Sequence, residues 1–406
     1  MTMVQTGDNM TALKRGNRAA VLAALHTEGA MSRKRLAARV HLTPAAITKI
    51  VAELIQEGLV REGAALPTAG AGRREVRISL VPESRYALGL LIDRGHAILS
   101  AVRFDGGIVF SERVALKENA PAEETVTALC RRLMALAAQL PREKIIGVGV
   151  AVRGVTDADG TSILNSMGAL SAGAHPLAEW VERETLLRVR MMNNVRALLA
   201  AQLFLTREPT RSAQYFLRCE YGIGAALAAS GEIWLGSSNR CSELGHIPVV
   251  RGGKLCSCGK RGCLETIASP MAMCEDAQSI LSETETPLLW KLAGGAQAKS
   301  MPLDAVLQAA ANGDTAVAAI TERAVKALAQ ALRSVIYILD PEKIVLYGRV
   351  FENAYFLSRL LAELREGVDA DHAARIEKSP FNGQLEPIAA PLIAVSAFFR
   401  TGGMDL

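Results

Sequence analysis

Residues 243–265 read Glu243-Leu244-Gly245-His246-Ile247-Pro248-Val249-Val250-Arg251-Gly252-Gly253-Lys254-Leu255-Cys256-Ser257-Cys258-Gly259-Lys260-Arg261-Gly262-Cys263-Leu264-Glu265. One imidazole and three thiols stand here in the spacing H-x9-C-x-C-x4-C. Zinc takes four nitrogen or sulfur ligands in a tetrahedron, and His246, Cys256, Cys258 and Cys263 complete such a shell. Gly252, Gly253, Gly259 and Gly262 supply the tight turns that let near neighbours converge on one point. A closed shell leaves no position for water, so the expected zinc is structural, not hydrolytic. The alternative is a cluster of free buried thiols. Cys241 is a spare thiol nearby and is not read as a ligand. The chain holds seven cysteines, an odd number, and four of them, Cys241, Cys256, Cys258 and Cys263, fall within 23 residues. That argues against a secreted disulfide framework and for metal binding in a reducing cytoplasm.

Outward from this knuckle, charge divides the 406 residues unevenly. The net charge is +5. Residues 1–80 hold 12 Lys/Arg against 6 Asp/Glu, and the remainder holds 34 against 35. One basic module is therefore attached to a nearly neutral body. A hydrophobic content of 50% excludes a disordered chain, and an aromatic content of 4% argues against a stacking surface for single-stranded nucleic acid. No apolar run approaches the roughly 18 residues that span a membrane. Ala19 to Leu25 only faintly imitates a signal peptide.

The basic module, residues 1–82, reads as three helices and a hairpin. The first helix is expected over Asn17–His26, with Gly29 ending it. Ser32 can cap a second over Arg33–Val40. Thr43 and Pro44 suit the N-cap and first helical position of a third, in which Ile47, Ile50, Val51, Leu54 and Ile55 form one apolar stripe. Leu59-Val60 and the alternating Val76, Ile78 and Leu80 make a wing. Helix, helix, helix and hairpin in this order is the winged helix-turn-helix plan, whose third helix reads the DNA major groove. Its free face presents Thr43, Ala45, Ala46, Thr48 and Lys49. Thr and Ala suit thymine methyls, and Lys49 suits a phosphate or guanine. Arg33, Lys34, Arg35, Arg73 and Arg74 are expected on phosphates. The alternative is a small helical domain whose basic face serves protein contacts.

Residues 83–406 read as an α/β body in two lobes with a cleft. Strands are expected over Ala87–Ile92, Ile98–Phe104 and Ile108–Arg113, the last two as a hairpin about Gly106-Gly107. A helix over Ala122–Leu140 precedes the wholly apolar run Ile145–Val152, which suits a strand buried on both faces. Arg188–Met192 is another strand and Val195–Leu205 a helix. Strands return at Tyr215–Arg218, Gly222–Ala228 and Glu232–Trp234. Beyond Cys263, helices are expected over Met271–Leu281, Pro302–Asn312 and Thr315–Leu339, then a strand over Lys343–Tyr347.

Together, Glu243-Leu244-Gly245-His246, Cys256-Ser257-Cys258-Gly259 and Gly262-Cys263-Leu264-Glu265 resemble the signature of the ROK family of repressors and sugar kinases. Asp340-Pro341-Glu342-Lys343-Ile344-Val345-Leu346-Tyr347-Gly348 resembles its C-terminal strand motif, and the N-terminal module resembles that of the NagC/Mlc/XylR-type repressors. The resemblance implies a two-lobed actin/hexokinase-like ATPase fold behind the winged helix-turn-helix, a sugar site in the cleft, and cytoplasmic homodimers or tetramers. Carried over, the sugar site uses Gly154, Asn193, Asn194, Glu243, His246 and Glu265. His246 would hold zinc through one ring nitrogen and a sugar hydroxyl through the other. The alternative for Glu243 and Glu265 is a supporting group or a helix cap.

The sequence departs from the kinase pattern in three places. Sugar kinases of the family carry an Asn-Asp pair whose carboxylate takes the hydroxyl proton; here Asn193-Asn194 offers only amides. The Asp-x-Gly-Gly-Thr phosphate loop is Asp93-Arg94-Gly95-His96-Ala97. The Gly-Thr-Gly-x-Gly loop is Glu220-Tyr221-Gly222-Ile223-Gly224, with a carboxylate where a phosphate would sit. Arg153 and Arg196 also replace family residues. They suit a phosphorylated or acidic sugar, or else pair with a carboxylate such as Glu220. The expected function is a non-enzymatic transcriptional repressor of carbohydrate-metabolism genes, binding double-stranded operator DNA as a dimer and answering to a sugar or sugar phosphate. A DNA-binding sugar kinase and a repressor controlled by a protein partner are the rivals.

Overall fold

The computed structural model describes residues 9–65, 76–117, 120–157, 159–207, 213–297 and 300–404. The chain forms two compact units, Met1–Pro209 with Gln384–Leu406, and Thr210–Gly383.

The first unit opens with α1 (Asn9–Glu28), β1 (Met31–Ser32), α2 (Arg33–Arg39), α3 (Pro44–Gln56), β2 (Val60–Ala65) and β3 (Val76–Leu80). Helix α1 starts at Asn9, well before the expected Asn17, because Ala12, Leu13 and Lys14 are good helix formers and Gly16 is tolerated there. Both predicted caps form: Ser32 Oγ accepts from Arg35 N at 3.3 Å, and Thr43 Oγ1 from Ala46 N at 3.2 Å. Ile47, Ile50, Val51 and Leu54 bury the α3 stripe. Helix α2 packs against α3, and Val21, Leu22 and Leu36 are fully buried as well. The strands pair in the order β1-β3-β2, the wing of a winged helix. Arg73 and Arg74 lie outside the described residues.

Next come β4 (Tyr86–Asp93), β5 (His96–Arg103), β6 (Ile108–Ala115), α4 (Ala122–Ala137), β7 (Ile145–Val152), β8 (Val155–Thr156), β9 (Ile163–Asn165), α5 (Leu177–Thr185), β10 (Val189–Asn193) and α6 (Asn194–Thr206). The main sheet runs β10-β7-β4-β5-β6, with β4 parallel to β7 and antiparallel to β5. Alternation assigns its two faces. Leu88, Leu90 and Ile92 of β4 and Val148, Val150 and Val152 of β7 join Val126, Leu129 and Leu133 of α4 and Val181 of α5 in one core. The opposite face receives the C-terminal helix Glu386–Arg400, which sequence reasoning missed. Glycine permits the approach: a Cβ on Gly89 would lie 2.1 Å from Pro391 Cδ, and one on Gly149 1.8 Å from Ala390 O. A backbone carbonyl inside a helix cannot swing aside. Gly149→Ala is therefore expected to lower stability by about 3 kcal/mol, at the upper end of overpacking effects, read as the urea midpoint. A change below about 0.5 kcal/mol, the scale of an ordinary surface substitution, would mean the helix docks elsewhere.

The second unit holds β11 (Ala213–Cys219), β12 (Ile223–Ala229), β13 (Glu232–Ile233), α7 (Glu265–Ala268), α8 (Pro270–Ser279), α9 (Pro287–Ala293), α10 (Leu303–Ala311), α11 (Thr315–Leu339), β14 (Lys343–Tyr347), α12 (Ala354–Arg365), α13 (Ala370–Ala374) and β15 (Ile376–Lys378). Its sheet order is β13-β12-β11-β14-β15. An antiparallel run of three strands is followed by two parallel ones, so the second unit repeats the topology of the first unit's main sheet. The long apolar face of α11, including Ile320, Val325, Leu328 and Leu332, packs into this unit's core. Among the described residues no helix is long and apolar enough to cross a membrane.

Candidate functional site

The donor atoms of His246, Cys256, Cys258 and Cys263 all lie within 4.8 Å of one another. His246 Nδ1 is 3.5 Å from Cys256 Sγ, and the Cys258 and Cys263 sulfurs are 3.7 Å apart. The cysteines sit on a tight hairpin in which Cys256 N donates to Lys260 O at 2.8 Å and Gly259 N to Cys256 O at 2.9 Å, and the pairing of Pro248 with Cys263 returns the chain beside His246. Gly262 has a φ of 72°, and a Cβ there would strike Val250 O at 1.7 Å. Only glycine lets the strand return beside His246. The thiols are unpaired as disulfides. Burial first, then the neighbouring Cys258 and Cys256 groups, push the Cys263 thiol up to about 12. Three thiolates would crowd one another here unless a cation drew off their charge, so the donor set fits a soft, tetrahedral metal. Cys241 stands apart, its sulfur 3.5 Å from Ser242 Oγ.

Two other motif residues brace a strand start. Glu265 Oε2 accepts from Ile223 N at 3.0 Å. A Cβ on Gly245 would meet Ile223 O at 2.1 Å. The first residue of β12 is thus held between the two halves of the knuckle motif. Glu243 precedes the single turn Leu244–His246, its carbonyl accepting from His246 N at 3.0 Å.

In the first unit, the parallel strands end on a polar cluster. Asp93, buried at the end of β4, accepts from Arg94 N at 2.7 Å and from Asn194 Nδ2 at 3.1 Å. Arg153 Nη1 is 3.6 Å from the same carboxylate. Arg153 Nε is buried and lacks a hydrogen-bond partner among the described residues. Asn193 caps α6 through Oδ1, accepting from Val195 N at 2.9 Å, and its Nδ2 donates to Gly154 O at 2.8 Å. Gly154 has a φ of 130° and touches Asn165 O so closely that a Cβ would lie 1.9 Å from it. Arg196 is buried in the first turn of α6. Arg153 therefore faces Asp93, not the Glu220 offered from sequence. From sequence Asp93 is only the remnant of a phosphate loop; its central place shows only in the fold, where three chain segments meet.

Glu220, in the β11–β12 turn, accepts from Arg349 N at 2.8 Å through Oε1, and Arg349 Nη2 reaches Asp304 at 2.9 Å. This turn borders a cavity of about 770 Å³ within the second unit, lined by Tyr221, Met271, Cys274, Met301 and Arg349 among others. Sequence reasoning did not find it, since its walls come from distant helices.

On the N-terminal module, Thr43, Ala45, Thr48 and Lys49 are exposed on one side of α3, and Ala46 is half-buried. Thr48 Oγ1 donates to Pro44 O at 2.8 Å. The expected phosphate-contacting cations differ in state. Arg33 pairs with Glu62 of the wing at 2.7 Å, and Arg35 with Glu28 at 3.4 Å. Lys34 and Lys49 form no ion pair among the described residues.

A helix-turn-helix module fused to a duplicated kinase-type α/β body is the class of chain this fold defines. The chain belongs to the ROK family, whose profile matches residues 91–379. The MarR family profile matches residues 17–62. The chain is 28% identical to the DNA-binding transcriptional dual regulator NagC of Escherichia coli (strain K12), over 85% of its own length and 83% of that protein. It is 26% identical to the DNA-binding transcriptional repressor Mlc of the same organism, over 94% and 93%. The crystal structure of a ROK family transcriptional regulator described as a homolog of the E. coli Mlc protein superposes with a TM-score of 0.78 at 22% identity, covering 97% of this chain and 98% of that one.

Proposed function

We propose that this chain is a transcriptional repressor of carbohydrate-metabolism genes, in which residues 1–82 bind operator DNA and residues 83–406 sense a sugar. One observation carries the reading: a capped helix with an exposed Thr43, Ala45, Thr48 and Lys49 face is joined to a body similar along most of its length to named transcriptional regulators. Two copies would place their α3 helices about one DNA turn apart on a near-palindrome. Lys34 and Lys49 would take phosphates; Arg33 and Arg35 would first have to leave Glu62 and Glu28. Arg73 and Arg74 would extend the contact along the wing.

The effector site would draw on residues among Arg153, Gly154, Asn193, Asn194, Glu243, His246 and Glu265. The Asp93 carboxylate beside Arg153 favours a neutral sugar over a phosphorylated one, because the guanidinium charge is already balanced. The body would not transfer phosphoryl groups: Asn194 is an amide and donates to Asp93, so nothing at that position takes a proton. A structural zinc would be held by His246, Cys256, Cys258 and Cys263. The protein would work as a homodimer or tetramer in the cytoplasm.

The test is operator binding by fluorescence anisotropy at fixed salt, on a duplex that the protein itself selects from a random pool. Thr48→Ala with Lys49→Ala is expected to weaken it by about 1–3 kcal/mol, on the scale of a lost base contact, and to reduce the salt slope by about one. Neutral hexoses should shift the affinity of the wild-type chain. Unchanged affinity and preference in the double variant would remove α3 as the reader.

A further inference from the structure

Arg18 is among the largest side chains fully buried among the described residues, and it lies on α1, outside the sites described above. Its guanidinium joins three segments distant in sequence. Nε donates to Gly402 O at 2.7 Å, just past the C-terminal helix. Nη1 donates to Glu57 Oε1 at 2.8 Å and to Glu53 Oε2 at 3.2 Å, and Nη2 donates to Glu57 Oε2. Glu53 lies in the last turn of α3, and Glu57 caps it. A planar guanidinium can hold this fork and a carbonyl at once, whereas an ammonium presents only a point charge.

The seat beneath Arg18 is shaped for it. Gly402 and Gly403 have φ of 69° and 76°, and a Cβ on Gly402 would lie 2.7 Å from both Arg15 O and Arg18 Cβ. A Cβ on Gly403 would lie 2.6 Å from Leu59 Cδ1, at the junction of α3 and β2. Around it, His26 Nε2 meets Phe204 O at 3.0 Å, and its ring packs on Phe204 and Phe399. Arg85 Nη2 reaches Glu57 O at 3.4 Å, and its guanidinium stands 6.0 Å from the Phe398 ring. At its other end, the same C-terminal helix presses on Gly89 and Gly149, in the strands that run to Asp93 and Arg153.

We propose that Arg18 is a positioning residue for operator binding: a strut that locks the α3 helix to the end of the C-terminal helix, and thereby to the strands that carry the Asp93–Arg153 cluster. Close-packed elements shift as bodies, so any displacement of that helix reaches α3 through Arg18. The role rests on the reading of α3 as the DNA-contacting helix.

The experiment measures the distance between spin labels carried on unnatural side chains at positions 52 and 113 of the full-length chain, with affinity for the selected duplex measured alongside. The wild type should give one narrow distance distribution. Arg18→Met, and independently Glu53→Gln with Glu57→Gln, should at least double its width. Both should weaken the selected duplex at least about tenfold, because paired recognition helices must meet half-sites a fixed turn apart. Binding to a random duplex should stay within about twofold, since it depends on phosphate contacts alone. A merely structural role would lower the melting temperature without broadening the distribution. Distributions as narrow as the wild type in the glutamine variant would overturn the proposal, and that variant decides the matter if Arg18→Met does not fold. If the wild-type chain selects no duplex, the proposed function falls, while the distances still test the strut.

Discussion

His246→Ala and Cys256→Ala should each abolish zinc binding, from about one ion per chain to less than a tenth, and leave the knuckle unfolded. Structural zinc contributes about 10–16 kcal/mol of apparent free energy in small metal-folded domains at neutral pH. Here the hairpin is braced by Pro248 pairing with Cys263 and Leu255 with Arg261, and by the rest of the second unit. Part of that energy therefore holds a preformed site, and a local collapse is expected instead of global unfolding. Because Glu265 and Gly245 flank Ile223, the collapse should spread to the β11–β12 turn. Elemental analysis reads the stoichiometry, and hydrogen exchange at Ile223 reads the spread. The ligands bind metal only when deprotonated, so zinc should be lost as pH falls, with chelator sensitivity rising in step. Full zinc content and unchanged exchange in His246→Ala would refute the assignment.

Asn194→Asp should destabilise the protein strongly and should not create a kinase. The new carboxyl would stand where Asn194 Nδ2 now donates to the buried Asp93 oxygen at 3.1 Å. Two carboxylates so placed cannot both ionise freely, and burial adds to the penalty; Arg153 offsets only part of it. The folded-state pKa of the pair therefore rises above the unfolded carboxylate value of about 3.9. Such a group costs nothing below the unfolded value, and the cost grows as pH climbs toward the folded one. Near pH 8 the loss should reach about 3 kcal/mol, roughly two pKa units at 1.36 kcal/mol each, and it should nearly vanish at pH 4. Urea unfolding at the two pH values checks the sign. Coupled ADP release with hexoses should stay at background, because the added group would share a proton with Asp93 and Glu220 would still occupy its turn. Wild-type stability at pH 8, or measurable phosphoryl transfer, would contradict this account of the cluster.

Much of the fold was legible because its signals are local. The caps Ser32 and Thr43 act within three residues. The α3 stripe repeats at helix period, and the strand runs at β4, β5, β7, β11 and β14 carry their own apolar pattern. Cys256, Cys258 and Cys263 lie on one hairpin and His246 ten residues before Cys256, so their spacing alone brings the four donors together. Less was legible of α12 and the C-terminal helix. The latter carries Pro391 within an almost wholly apolar segment, which reads as a break when seen in isolation.

What sequence by itself determined is therefore the set of local devices: the third helix of the N-terminal module and its caps, the doubled strand pattern, the knuckle of four close donors, and the amide at position 194. Only tertiary structure decided which distant groups meet. Arg153 finds Asp93 because parallel strands β4 and β7 end side by side. Pro391 finds Gly89 because the chain returns from the second unit to the first, and Arg18 finds Gly402 by the same return. Periodicity and capping are governed by bonds a few residues apart, so they are written in the order of residues. A buried charge takes its partner from whatever the packed chain brings within reach, and that is set by the fold as a whole.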